Sequence, residues 1–416
     1  MIRPEDTRNQ APPTGEAPTQ QPGSPRPRRV TTWQKALAAL ILLICLIGGG
    51  FLIAQNGRST PTPAGNSTGN SASTPVLPKP WCAASDALAN NFYGTSISSL
   101  AANDVWSAGT QIRHWNGSAW SVSYTPASQQ SVLRSILEIA PDNVWVVGEQ
   151  QGNGMPSHPL TLHWDGSKWQ SVSSPDVAAG GKNALAAVSG TSANDVWAVG
   201  FAVPLQGPIV PLIEHWNGSA WSIQQLNTSS SLQFTSVKAL TSSNVWAVGY
   251  EYSTHAGKNV VQPVTEHWNG SKWSAIANPD LQASGGGNLY NINGDSASDL
   301  WAVGSQNSGS QLLTEHWNGT KWSVVANPNV PPGNSNWLAS VAVSGPNNVW
   351  AVGRVAGQGG FQPFIEHWDG KAWEILQDPS GSAGELDIIA NVGQQVWVIG
   401  LPRASGGHAF IETLCP

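Results

Sequence analysis

Residues 195–226 read DVWAVGFAVPLQGPIVPLIEHWNGSAWSIQQL. The stretch breaks into three short apolar or alternating runs, DVWAVGF, PLIEHWNG and AWSIQQL, and ALAAVSG at 184–190 precedes them as a fourth. Short runs of this kind, bounded by Gly, Pro, Asn and Ser, are strands, and none has the length or period of a helix. The third and fourth runs meet at Asn217-Gly218-Ser219-Ala220, a tight hairpin in which Gly tolerates positive φ. That register sets Trp216 opposite Trp221 and His215 opposite Ser222.

The same grammar recurs along the chain. The pattern (N/D/Q)VW or DLW, then two residues and Gly, places a Trp at 106, 145, 197, 246, 301, 350 and 397, with a mean step of about 49 residues. HW(N/D)GxxW follows the first six, starting at His114, His163, His215, His267, His316 and His367. Of the 22 Trp, 19 belong to these two patterns, so the unusual Trp content is the signature of a repeat. Seven four-stranded units at this spacing predict an all-β, seven-bladed β-propeller over residues 79–416, each blade covering the apolar face of the next. The seventh unit (ELDIIANV, QVWVIG, AFIETLCP) has three strands, while KPWCAAS at 79–85 puts Trp81 at a fourth-strand Trp position. The N-terminal strand is therefore expected to complete the C-terminal blade and close the ring. Cys82 and Cys415 then fall on neighbouring strands, and an oxidising exterior favours a disulfide between them.

Ahead of the repeats, Ala36–Ala54 is 19 residues without a charge, enough to span a bilayer as a helix. Arg26, Arg28, Arg29 and Lys35 precede it and only Arg58 follows closely, so the positive-inside rule orients the N-terminus toward the cytoplasm. A cleaved signal peptide is the alternative; a lipoprotein is excluded because Ile44 precedes Cys45. The expected layout is a disordered cytoplasmic tail (1–34), a transmembrane helix (35–54), a Ser/Thr/Pro-rich stalk (55–78) and an extracellular propeller on the cell membrane. Residues 81–416 carry 11 basic and 22 acidic side chains, a balance that argues against nucleic acid as a partner.

Recurrence also weighs against catalysis. His, Asp and Ser appear in most units, whereas an active site is one constellation at one place; the expected role is a hydrogen-bonded set inside each blade. The histidines would lie around a ring, with no convergence on one metal ion. Glu214, Glu266, Glu315, Glu366 and Glu412 repeat on the third strand, with pairing to Lys, Arg or a backbone amide expected. Asn-Gly-Ser at 116, 217 and 269 and Asn-Gly-Thr at 318 match glycosylation acceptors, although turn chemistry already accounts for them. No phosphate loop and no copper, quinone or haem motif is present, so no cofactor is expected.

The units differ in their second-to-third and inter-blade loops, which emerge on one face of a propeller, and loops on a rigid scaffold are where recognition resides. Tyr250, Tyr252 and His255 from the long loop of the fourth unit, and Trp337 from the inter-blade stretch VPPGNSNW, are the candidate ligand contacts. The order VWAVG, HWNGSKW, apolar strand resembles the tectonin- and kelch-like propeller repeats of bacterial surface and secreted proteins over residues 81–416, without the kelch double glycine. That resemblance implies a propeller and, for tectonin-type relatives, glycan binding. The reading is a non-catalytic module for cell-surface glycans or proteins. A lyase or hydrolase with a site in the central channel, and an envelope scaffold, are the alternatives.

Overall fold

The computed structural model describes residues 81–83 and 94–414, apart from 129, 152–155, 227, 229, 256, 329, 331–332, 334, 358–359, 377–382, 394 and 403–409. The expected tail, membrane segment and stalk lie outside the described residues, as does Cys415. Among the described residues no helix is long and apolar enough to cross a membrane. The chain divides into two parts, Met1–Asn56 and Gly57–Pro416, and every described residue belongs to the second.

Each repeat unit folds as an antiparallel four-stranded group whose spatial order follows the chain. Unit 3 runs through Lys182–Ser192, Asp195–Val203, Val210–Trp216 and Trp221–Ile223. Its register sets Trp197 opposite His215, His215 opposite Ser222 and Trp216 opposite Trp221. Units 2 and 3 are linked by a single parallel pair, Lys182 with Ser157. The last group is assembled from distant segments. Ala383–Val392, Gln395–Pro402 and Phe410–Leu414 are completed by Trp81–Ala83, with Trp81 opposite Leu414 and Cys82 opposite Thr413.

Between consecutive units lies an apolar layer. Trp197 and Val199 of unit 3 pack with Leu232, Phe234, Val245 and Trp273 of unit 4. Units 7 and 1 share such a layer too, built from Ile388, Trp397, Ile399, Ile411 and Val105. Its centre is a recurring indole arrangement. Trp197 stacks on His215 of its own unit at 4.2 Å and meets Trp268 and Trp273 of the next at 5.2 and 5.4 Å. Trp397 meets Trp115 and Trp120 in the same way, at 6.1 and 6.2 Å. Burying one such indole stabilises by roughly 4–6 kcal/mol at about 25 cal/mol per Å². Trp397 departs from the pattern within its own unit, because Thr413 stands opposite it where the other units carry His.

The first strand of every unit contains a bulge near its start, for example between Leu185 and Ala187 and between Phe234 and Ser236. The bulge explains the glycine that ends each VWxxG run: a Cβ on Gly200 would lie 2.0 Å from the Ala184 carbonyl oxygen, and one on Gly249 2.1 Å from that of Gln233. First strands would otherwise present an open edge, which is costly unless its polar groups are satisfied. Side chains stitch these strands together across the units. Ser98 Oγ accepts from Glu138 N (2.8 Å), Ser135 Oγ from Val188 N (3.2 Å), Ser189 Oγ from Ala239 N (3.0 Å) and Asn291 Oδ1 from Val341 N (3.1 Å). Ser99 of unit 1 donates to Asn391 O of unit 7 at 3.3 Å.

Candidate functional site

The recurring polar residues form one network per unit. His215 Nε2 donates to Asp195 Oδ1 at 2.8 Å, and Trp197 Nε1 donates to the same oxygen at 3.0 Å. Asn serves equally well, since Asn244 Oδ1 accepts from His267 at 2.8 Å and from Trp246 at 2.7 Å. An amide oxygen can only accept, so the ring nitrogen must carry the proton. The chemistry is that of a satisfied structural network. In unit 2 the indole N–H of Trp145 is left without a hydrogen-bond partner, whereas in unit 1 Trp106 interacts with the Glu138 carboxyl. Among the described residues no three His, Cys, Asp or Glu side chains are grouped as a metal would require.

The third-strand glutamates are buried, and their partners differ from expectation. Glu214 bonds Ser174 at 2.8 and 2.7 Å, Glu315 accepts from Asn278 Nδ2 at 2.6 Å and Glu366 from Asn327 Nδ2 at 2.7 Å. These partners follow the fourth strand of the preceding unit, where no Lys or Arg is on hand. Glu266 has Leu226 at the corresponding position, and one of its oxygens is without a partner. Burial raises all four carboxyls, Glu214 and Glu366 to about 8, Glu266 and Glu315 to about 7. A neutral carboxyl can donate as well as accept, which suits the Ser174 hydroxyl. The side chain of Glu412 lies outside the described residues.

What does not repeat lies at the opposite ends of the strands. The residue after the motif glycine differs in every unit: Thr110, Glu149, Phe201, Tyr250, Ser305, Arg354 and Leu401. Tyr250 is buried opposite Gln233, whose amide it bonds, and its ring meets Tyr252 at 5.7 Å. Tyr252 is half-buried, opposite Ser231. His255 ends the same strand opposite Lys258, its side chain outside the described residues. Trp337 was expected in a loop; it instead opens the first strand of unit 6, Trp337–Val343, opposite Arg354. The reason is stacking: the Arg354 guanidinium lies 3.5 Å from the Trp337 ring and 3.7 Å from Phe361, and also bonds Glu385. Tyr290 packs edge-on against Trp337 at 6.4 Å. The tyrosines of unit 4 and Trp337 of unit 6 are thus separate clusters on one variable rim.

Sequence reasoning missed Arg354, Phe361 and the acidic pair Glu385 and Asp387. Asp387 occupies the bulge position of its first strand, and burial, with Glu385 nearby, raises its carboxyl to about 7. On the other side, Glu149 is buried between Arg134 (2.6 Å) and Lys182 (3.1 Å). For Arg354 the position after the glycine was the available signal, because it differs in every unit.

No protein-family model matches the sequence, and a search of curated proteins gives no match. Solved structures do. YCF48 bound to D1 peptide is 16% identical, covering 83% of this chain and 98% of its own, with a TM-score of 0.53. YCF48 from Cyanidioschyzon merolae is 18% identical over 81% and 99%, at 0.50. The WD40 β-propeller domain of Doa1 is 10% identical over 80% and 97%, at 0.52. The fold is that of the WD40-like β-propellers, and the chain is a β-propeller repeat protein.

Proposed function

We propose that this chain is a single-pass membrane protein, N-terminus in the cytoplasm, that displays a closed seven-bladed propeller outside the cell as a non-catalytic module for protein or glycan partners. Ring closure is supported by the pairing of Trp81–Ala83 with Phe410–Leu414 and by the apolar layer between units 7 and 1. Pairing of Cys82 with Cys415 belongs to the same reading. The membrane segment rests on the apolar run 36–54 and the basic residues before it. The tectonin- and kelch-like kinship rests on motif order.

One observation carries the binding role: the variable rim concentrates side chains suited to recognition while the rest of each unit repeats. Tyr252, Trp337 and Phe361 offer aromatic surface, and Leu205, 77% exposed, projects from the long loop of unit 3. Exposed aromatics beside polar groups are the usual anchors of a protein interface. An extended segment is favoured, and the comparison with YCF48, whose structure contains a bound peptide, points the same way.

The test is selection of binders from a random peptide display library on the detergent-solubilised full-length chain, with a glycan array in parallel. Selected peptides should lose at least roughly tenfold in affinity with Tyr252→Ala or Phe361→Ala, a loss typical of aromatic anchors. They should be unaffected by Val122→Ser on the outer edge of unit 1. Binding indifferent to both rim substitutions overturns the site, and selection of no peptide overturns the peptide reading.

A further inference from the structure

Two charged triads of inverse design stand at the variable ends of the strands. The position after the motif glycine is charged in units 2 and 6 alone, as Glu149 and Arg354. Glu149 is buried and takes Arg134 on one oxygen at 2.6 Å and Lys182 on the other at 3.1 Å. Burial opposes its ionised form, but the two cations outweigh that and hold the carboxyl below its ordinary value. One acid between two bases leaves a positive charge in excess. Arg354 reverses the arrangement. It is clamped between the rings of Trp337 and Phe361 and bonds Glu385 through Nη1, while Asp387 lies near enough to feel the charge of both. One base between two ionised acids leaves a negative charge in excess.

Both triads sit at the same level of their units. Arg134 and Asp387 are the unpaired bulge residues of their first strands, between Leu133 and Ser135 and between Leu386 and Ile388. A bulge re-aims its side chain and recurs beside functional sites. Lys182 opens the first strand of unit 3, and Glu385 lies near the start of that of unit 7. In the closed ring proposed above, the junction of units 2 and 3 and that of units 6 and 7 are three steps apart one way and four the other. The positive and negative triads therefore oppose each other across the mouth of the channel. The negative one is short of a counter-charge. Among the described residues Asp387 makes no hydrogen bond and no direct ion pair, since the nearby guanidinium is held by two rings and committed to Glu385. Burial, with Glu385 adding to it, raises the Asp387 carboxyl to about 7, so a cation brought alongside meets a group ready to ionise. At the positive triad Arg134 Nε is buried without an acceptor. Charges interact far more strongly in such low-dielectric settings than in water, and charge complementarity decides which partner is accepted and in which register.

We propose that the two triads select an extended peptide segment of dipolar character, a basic side chain docking at Asp387 and Glu385 and an acidic one at Arg134 and Lys182. This rests on the peptide reading above and adds charge selection to it. The test uses the detergent-solubilised full-length chain at pH 8 and low salt. The probes are fluorescently labelled Ala/Gly peptides with two Tyr, one Lys and one Glu, the charges two to eight residues apart and in both orders. In matched peptides Gln replaces the Lys, the Glu or both, which tests the contacts without altering the protein. Anisotropy titrations should reveal at least one spacing whose affinity falls roughly tenfold with either replacement, the loss expected of a charge-assisted hydrogen bond. Asp387→Asn should erase the advantage of Lys and keep that of Glu, and Lys182→Gln should do the reverse, a coupling that a merely structural role would not produce. Glu374→Gln, at an exposed acid on the fourth strand of unit 6, should change neither. Neutral peptides binding as well as charged ones, or a Lys preference that survives Asp387→Asn, overturns the charge selection and leaves the peptide reading standing. Failure of every peptide, the neutral ones included, overturns both.

Discussion

Glu214, Glu266, Glu315 and Glu366 occupy one position of the third strand, and burial lifts each carboxyl well above the usual carboxylate range. Between about pH 4.5 and 8 the folded protein therefore binds more protons than the unfolded chain, so stability falls as pH rises through that window and levels off above it. Melting temperature should decline from pH 5 to pH 9. Glu266→Gln, at the site with an apolar neighbour in place of a Ser or Asn, should raise it at pH 9 with little change at pH 5. A melting curve in which the variant matches the parent at both pH values would refute the protonated state of Glu266. At this scale the sequence was read well for the histidines, whose partner stands two residues before the Trp on the adjacent strand. The glutamates were misread because Ser174, Asn278 and Asn327 come from the preceding unit, five residues beyond its fourth-strand Trp, a relation that local periodicity does not display.

At the level of strands, the glycine of each VWxxG run and the bulge opposite it act as one device. A methyl group on Gly200 would meet the Ala184 carbonyl well inside van der Waals distance, and the obstacle is backbone that cannot rotate away. Gly200→Ala should cost about 1–3 kcal/mol, the range for overpacking, seen as a lower urea midpoint with an unchanged slope. Four strands per unit and their register were legible, because Trp, His and the turn residues fix alternation and hairpin spacing. The bulges were hidden, since an unpaired residue within a first strand alters neither the motif nor its spacing. Trp337 was assigned to a loop for a related reason: Pro and Gly precede it, and the stacking on Arg354 that draws it into a strand is a contact across the sheet.

For the whole molecule, the strand missing from the last unit announced the pairing of Trp81–Ala83 with Phe410–Leu414. The main cluster among the variable side chains was not foreseen, because Arg354, Phe361 and Glu385 converge from two units. If Cys82 and Cys415 are joined, a non-reducing peptide map of the full-length chain should contain the linked pair, and reduction should lower the melting temperature. The chain-entropy contribution is at most about 5 kcal/mol. Two separately alkylated cysteines in that map would remove the covalent closure and leave the strand pairing to act alone.

The pairing of the first described strand with the last has a consequence for biogenesis. Trp81 leaves the ribosome long before Leu414, so the earliest strand must wait with its hydrogen-bonding edge unsatisfied while every other unit is synthesised and packed. Long-range pairing of this kind is slow and leaves sticky intermediates. The nascent protein thus spends most of its synthesis with that strand unpartnered, and whatever shields the waiting edge governs how much of it matures.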